Sequence, residues 1–134
     1  MWLQPKKTKY KKVHKGKLCK YNFRSNNLKF GSVGLKATKS GTVSSRHIEA
    51  ARQAIVRKLN RKGKLWIRVF PNVPITSKPT EVRMGKGKGN VSHWCVKINA
   101  GAVLFEVCGI AKNVAITAFE TGGAKLPVKT AILY

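Results

Sequence analysis

Residues 44–70 read SSRHIEAARQAIVRKLNRKGKLWIRVF, and the apolar pattern changes period inside this stretch. Ile48, Ala51, Ile55 and Leu59 recur at helical spacing, which predicts a helix over Ser44 to Arg61 with one stripe facing a core. Ser44 is of a type that caps a helix start, and Gly63 of a type that ends one. From Lys64 to Phe70 the alternation is two-fold, with Leu65, Ile67 and Val69 on one side and Trp66, Arg68 and Phe70 on the other. A helix handed directly to a half-buried strand predicts an α+β layer structure. At 134 residues the chain reads as a single domain, 1–134, long enough to bury a core.

Towards the C-terminus, Pro71, Pro74 and Pro79 predict an irregular connection holding Ile75 and Thr76. The segment Arg83-Met84-Gly85-Lys86-Gly87-Lys88-Gly89-Asn90 follows. Alternating glycines free the backbone for close approach to another surface, and the interleaved cations make that surface a polyanion. Residues 80–90 are therefore read as a projecting basic loop that contacts RNA. Val91 to Ile98 and Ala102 to Val107 read as two strands joined by a turn at Asn99-Ala100-Gly101. Asn113 to Lys125 reads as a helix whose last turn is broken, since Gly122 and Gly123 each cost about 1 kcal/mol relative to alanine. Pro127 ends it, and Val128 to Leu133 supplies a last strand. Towards the N-terminus, Leu28 to Ala37 reads as a strand in which Gly31 and Gly34 mark a bulge or a close backbone approach, and Gly41-Thr42 as a turn. The predicted order is β-α-β-loop-β-β-α-β.

Lys and Arg number 28 against 4 acids, all glutamate, for a formal net charge of +24. That exceeds what solubility needs and calls for an anionic partner. A membrane surface would need a basic amphipathic helix or a long apolar span, whereas the best candidate, Ala100 to Ile110, is short and carries Glu106. Nucleic acid is the better match. Residues 1–24 form a basic arm: Lys6, Lys7, Lys9, Lys11, Lys12, Lys15, Lys17 and Lys20 fall within sixteen residues without helical or strand periodicity. Free in solution such a run is expected to be disordered; on RNA its lysines meet phosphates while Tyr10 or Tyr21 stacks. Arg46, Gln53, Arg57 and Arg61 share the polar face of the first helix, read either as solvated surface or, given the charge, as phosphate contacts. Trp66 and Trp94 are expected in the core, and Trp2 against a base.

Catalytic and metal readings are weak. GKGKGN lacks the four-residue glycine spacing and the Lys-Ser/Thr of a P-loop, and a chain without aspartate builds a magnesium site poorly. His93 and Cys95 share a strand face, with Cys108 and His14 as conceivable further ligands, yet no closely spaced zinc pair is present. Ser45-Arg46-His47 is a helix start, better explained by capping than by nucleophilic catalysis. An enzyme reading would rest on Glu81 or Cys95, and no cofactor, metal or catalytic residue is assigned. Cys19, Cys95 and Cys108, an odd number without C-x-x-C, point to free thiols in a reducing compartment, and the first residues lack the apolar run of a secretory signal.

Four segments carry a family resemblance: LQPKKTKY with KKVHKGK at residues 3–17, SSRHIEAARQAI at 44–55, GKLWIRVFPNVPIT with KPTEVRMGKGKGN at 63–90, and AKLPVKT at 124–130. Together they resemble the bacterial-type large-subunit ribosomal protein sixteen family, over nearly the whole chain. The resemblance implies a β-hammerhead-type mixed or antiparallel sheet with two helices, and a non-enzymatic constituent of the large ribosomal subunit. Its implied partners are large-subunit rRNA near the peptidyl-transferase region, tRNA and neighbouring ribosomal proteins. Lys6 to Lys15 fall on the rRNA-embedded arm, and Arg83, Met84, Gly85, Lys86, Gly87 and Lys88 on the tRNA-facing loop, where Arg83 is the position open to hydroxylation. Residues 18–29, Gly122-Gly123 and the early stop at Tyr134 depart from the family pattern. With lysine outnumbering arginine three to one, these departures suggest an organellar version. A mitochondrial setting is favoured over plastid or bacterial cytoplasm.

Overall fold

Ser44 begins the first helix with a reciprocal cap: its Oγ accepts the His47 N–H at 3.3 Å, while the Ser44 N–H donates to His47 Nδ1 at 3.3 Å. The computed structural model describes residues 3–18 and 20–134, so the expectations for Trp2 and Cys19 lie outside the described residues. Helix α1 spans Ser45–Lys58 and buries Ile48, Ala51 and Ile55, with Leu59 buried just beyond, so the predicted stripe is the stripe observed. It ends three residues earlier than expected. Asn60 and Arg61 take left-handed backbone (φ 49° and 60°), and the Arg61 N–H closes the end on the Val56 carbonyl at 3.2 Å. Gly63, at φ 72°, is a close-approach residue instead: a Cβ there would lie 2.5 Å from Ile110 Cδ1.

Among the described residues nine elements are observed: β1 (Val33–Ala37), β2 (Gly41–Ser44), α1, β3 (Lys64–Ile67), β4 (Val73–Ser77), β5 (Asn90–Ile98), β6 (Val103–Cys108), α2 (Lys112–Gly123) and β7 (Thr130–Leu133). They form two sheets, β3-β6-β1-β7 and β2-β5-β4, with antiparallel pairing throughout. The α+β class holds, with two strands the sequence reading lacked. Gly41-Thr42, expected as a turn, opens β2 and pairs with Ile98 and Lys97 of β5. The proline-punctuated segment contains β4; Pro74 is accommodated because β4 is an edge strand, where a missing donor costs no ladder bond on the open side. The turn at Asn99–Gly101 is real, but it carries the chain from one sheet to the other.

β6 is the spine. Between β3 and β1 it buries Val103, Leu104, Phe105, Glu106 and Val107, and α1 and α2 share a core with it that includes Leu35, Ile55 and Phe119. α2 includes Gly122 and ends at Gly123, two residues short of the expected Lys125, and the last turn tightens there, with the Lys125 and Leu126 N–H groups donating to the Gly122 and Gly123 carbonyls at 3.1 and 3.0 Å. A Cβ at Gly122 would collide with Ile55, so the glycine serves the approach of the two helices, and that packing outweighs its poor propensity. Trp66 and Trp94 are only half-buried; Trp66 stacks on Phe30 at 6.1 Å between centroids, outside the core.

Glu106, fully buried, organises the segment before β1. Its Oε2 accepts the amides of Phe30 (2.7 Å) and Gly31 (2.8 Å), the Lys29 amide lies at 3.2 Å, and Arg68 pairs with Oε1. Burial pushes the Glu106 carboxyl up, but the three amides and Arg68 outweigh it and hold it below the ordinary carboxylate range.

Candidate nucleic-acid interface

The glycine-lysine loop is the tip of a hairpin. β4 and β5 pair down to Ser77 opposite Asn90, and residues 78–89 project beyond that last rung. Every residue from Lys78 to Lys88 is exposed, and Met84 is 100% so. The glycines have different jobs. A Cβ at Gly89 would strike the Ser77 backbone, so Gly89 lets the two stems close. Around Gly85 and Gly87 nothing lies within 4 Å, and neither takes positive φ. Their lack of a side chain has no cause within the fold. Lys78, the first residue beyond the stem, donates to the Gly85 carbonyl and folds the tip back on itself, a role the sequence did not reveal.

The arm reaches this tip. Lys12 Nζ donates to the Lys88 carbonyl at 3.0 Å, and Lys88 Nζ donates to the Val13 carbonyl at 2.9 Å. Residues 75 and 76 positions apart are thus joined by reciprocal bonds between two cations and two main-chain oxygens. Beyond the junction, Lys15, Gly16 and Leu18 lie in a cleft against Thr42, Val73, Ile75, Cys95 and Lys97 of the β2-β5-β4 sheet. At the other end of the arm, Leu3 is buried and shares with Gln4 a cleft over Ser45, Arg46 and Glu49. Residues 3–18 have no regular secondary structure, and Lys6, Lys7, Lys9, Lys11, Lys12 and Lys15 are all exposed. The arm therefore runs from the start of α1 to the tip of the hairpin and merges two predicted sites into one cationic surface.

The helix cations divide. Arg46 lies beside the arm's origin, whereas Arg57 and Arg61 border a second cleft with Arg52 and Asn60. Arg46 and Arg57 are eleven residues apart on α1, roughly 16 Å along its axis. All three are exposed. Arg52 is engaged with Glu49 at 2.6 Å, and this bond holds the Glu49 carboxyl below its usual range. With Glu106 buried and Glu49 paired, few acids offset the exposed cations.

Among the described residues no group of three potential ligands could hold a metal ion, and no helix is long and apolar enough to cross a membrane. Cys95 is buried between neighbouring strands and its thiol is pushed up by that burial, which Lys15 and Lys97 only partly oppose.

Comparison with known proteins supplies a family. Residues 5–133 match the family described as ribosomal protein L16p/L10e. A large ribosomal subunit protein uL16 from Halorhodospira halophila is 57% identical over 128 residues, covering 96% of this chain and 93% of that protein. The uL16 of Cereibacter sphaeroides is 52% identical, covering 98% and 96%, and that of Blochmanniella pennsylvanica 53%, covering 99% and 98%.

Proposed function

Because the chain belongs to the ribosomal protein L16p/L10e family, we propose that it is a structural, non-enzymatic constituent of the large ribosomal subunit, held by large-subunit rRNA and presenting its hairpin tip to tRNA near the peptidyl-transferase region. One observation carries the second half of that reading. Gly85 and Gly87 face open space with ordinary backbone angles, so their missing side chains are explained by an external backbone that comes close. Arg83, Lys86 and Lys88 around them select a phosphate backbone. Lys6, Lys7, Lys9, Lys11, Lys12 and Lys15 on the arm, with Arg46, Arg57 and Arg61 on the helix side, supply the rRNA contacts. Neighbouring ribosomal proteins complete the surroundings. The exposed Arg83 is accessible to a hydroxylating enzyme. The lysine-rich composition favours a mitochondrial ribosome, with a plastid or a bacterial one as the alternatives, and co-sedimentation with large subunits from isolated mitochondria tests the first.

The test separates holding from presenting. Lys86→Ala with Lys88→Ala should leave incorporation into large subunits largely intact and weaken tRNA occupancy. Lost incorporation with normal tRNA binding on the surviving particles would make the loop an assembly anchor instead. The arm obeys a salt law: each phosphate neutralised adds roughly 0.7–0.9 to the slope of log affinity against log salt. Removing two arm lysines should lower that slope by about 1.5. Affinity for an rRNA fragment that hardly responds to salt would sink the rRNA reading.

A further inference from the structure

The end of the arm that leads into β1 carries a feature that neither the lysine run of residues 6–17 nor the loop uses. Phe23 is 78% exposed and Tyr21 46% exposed, with ring centroids 4.9 Å apart and planes tilted by 55°. A large ring held in water needs a reason, and this one is held firmly. The Asn22 N–H donates to the Ala100 carbonyl at 2.8 Å, and the Val103 N–H donates to the Ser25 carbonyl at 2.9 Å. Between these anchors the Asn22 Oδ1 accepts the amides of Arg24 and Ser25 at 3.1 Å each, which fixes the turn under Phe23. Tyr21 is seated on the sheet-to-sheet corner, where Gly101 (φ 90°) has no Cβ; one there would lie 2.5 Å from the tyrosine ring. Tyr21 is the support and Phe23 the outward face.

We infer that Tyr21 and Phe23 form a stacking platform for one unpaired RNA base, with Lys20 and Arg24 meeting the flanking phosphates. The occupant follows from charge. Lys20, Arg24 and Lys29 are exposed, and residues 20–31 contain no acid, so the platform repels basic partners and attracts a polyanion that also carries π-faces. Base stacking on an aromatic side chain is sequence-tolerant and depends on a preset ring more than on hydrogen bonding. The backbone anchors provide that preset ring, so little ordering entropy remains to be lost on binding. The site lies in the stretch that departs from the family pattern, and it deepens the rRNA reading on which it rests.

The test uses the full chain and a short single-stranded oligouridylate carrying one 4-thiouridine. Wild type should cross-link through Tyr21 or Phe23, as mapped by mass spectrometry. Phe23→Ala should abolish that adduct and weaken binding roughly five-fold or more, while Phe23→Tyr keeps both. Because Phe23 is solvent-exposed, Phe23→Ala should melt with wild type. Wild type that binds the oligonucleotide with adducts only on the lysine run of residues 6–17 or on the loop, and with Phe23→Ala equal to wild type, overturns the platform alone. Wild type that binds an rRNA fragment but not the oligonucleotide at low salt also overturns the platform alone, and binding to neither overturns the rRNA reading as well. In assembled large subunits, Phe23→p-benzoylphenylalanine should capture RNA; capture of a neighbouring protein assigns the ring to a protein contact and overturns the inference.

Discussion

Glu106→Gln offers the sharpest test of how the fold is held. The substitution keeps the volume of a side chain that is fully buried in the central strand, so no cavity opens. It removes a charge and one acceptor. In the wild type, Oε2 takes the Phe30 and Gly31 amides while Oε1 takes Arg68. A glutamine has one carbonyl oxygen, so either the amides or Arg68 must face an NH₂ that has nothing to accept with. Arg68 is itself largely buried, its side chain 13% exposed, and a buried ion left alone costs about 3–5 kcal/mol. That is a large part of the 5–15 kcal/mol typical of a whole domain. At this chain length it corresponds to a fall in Tm of roughly 10–20 °C. Thermal unfolding by circular dichroism reads it directly. Arg68→Met with Glu106→Met should recover part of the loss, but not the share belonging to the three amides. The pH dependence is signed as well. The folded carboxyl titrates below its unfolded value, so its contribution is complete above the ordinary glutamate pKa and is lost as pH falls through the lowered folded one. Glu106→Gln should therefore flatten the acid limb of stability against pH. A Tm within about 3 °C of wild type, with the acid limb unchanged, would refute the idea that this carboxylate holds residues 29–31 and Arg68 in place.

Gly122→Ala should gain about 1 kcal/mol in helix propensity and lose about 1–3 kcal/mol by overpacking Ile55, for a net fall in stability. The loss should shrink in an Ile55→Ala background; equal losses in both backgrounds would show that the helix approach is not the cause. Gly85→Ala and Gly87→Ala should leave Tm unchanged within a degree or two, because nothing surrounds either Cβ, yet reduce tRNA occupancy of large subunits. Lys12→Ala should leave the melting curve intact and raise the rate at which a protease cuts the arm near Val13 in the free protein, since the bond to Lys88 is lost. A thiol reagent followed by peptide mapping should label the exposed Cys108 well before the buried Cys95, whose thiol is pushed up.

The sequence was most legible where one periodicity acted alone. The stripe Ile48–Ala51–Ile55–Leu59 and the alternation from Lys64 both survive in the structure, because a single apolar face decides each. It was least legible where long-range contacts override local preference. Nothing near Gly41 announces β2, whose partners lie more than fifty residues away, and Pro74 reads as a breaker until β4 is known to be an edge. Gly122 reads as a weak helix end until Ile55 is seen against it. The candidate site shows the same division. Charge and glycine spacing marked the loop and the arm, but the bonds that join Lys12 to Lys88 link segments with no sequence pattern in common. Phe23, an isolated phenylalanine in an aperiodic stretch, carries no sign of its exposure in the sequence.

The junction of Lys12 and Lys88 has a mechanical consequence. A two-stranded hairpin paired to β2 on one flank only is a cantilever, and a load at its free end would bend it about its root. Here the arm braces the cantilever near its tip. A push on Met84 is then carried partly along the arm towards Leu3 and the start of α1, at the opposite end of that chain segment. Stiffness at the tip becomes a property shared by both ends of the arm, and Leu3→Ala should loosen the loop as measured by amide exchange at Arg83 to Lys88, although the two sites do not touch.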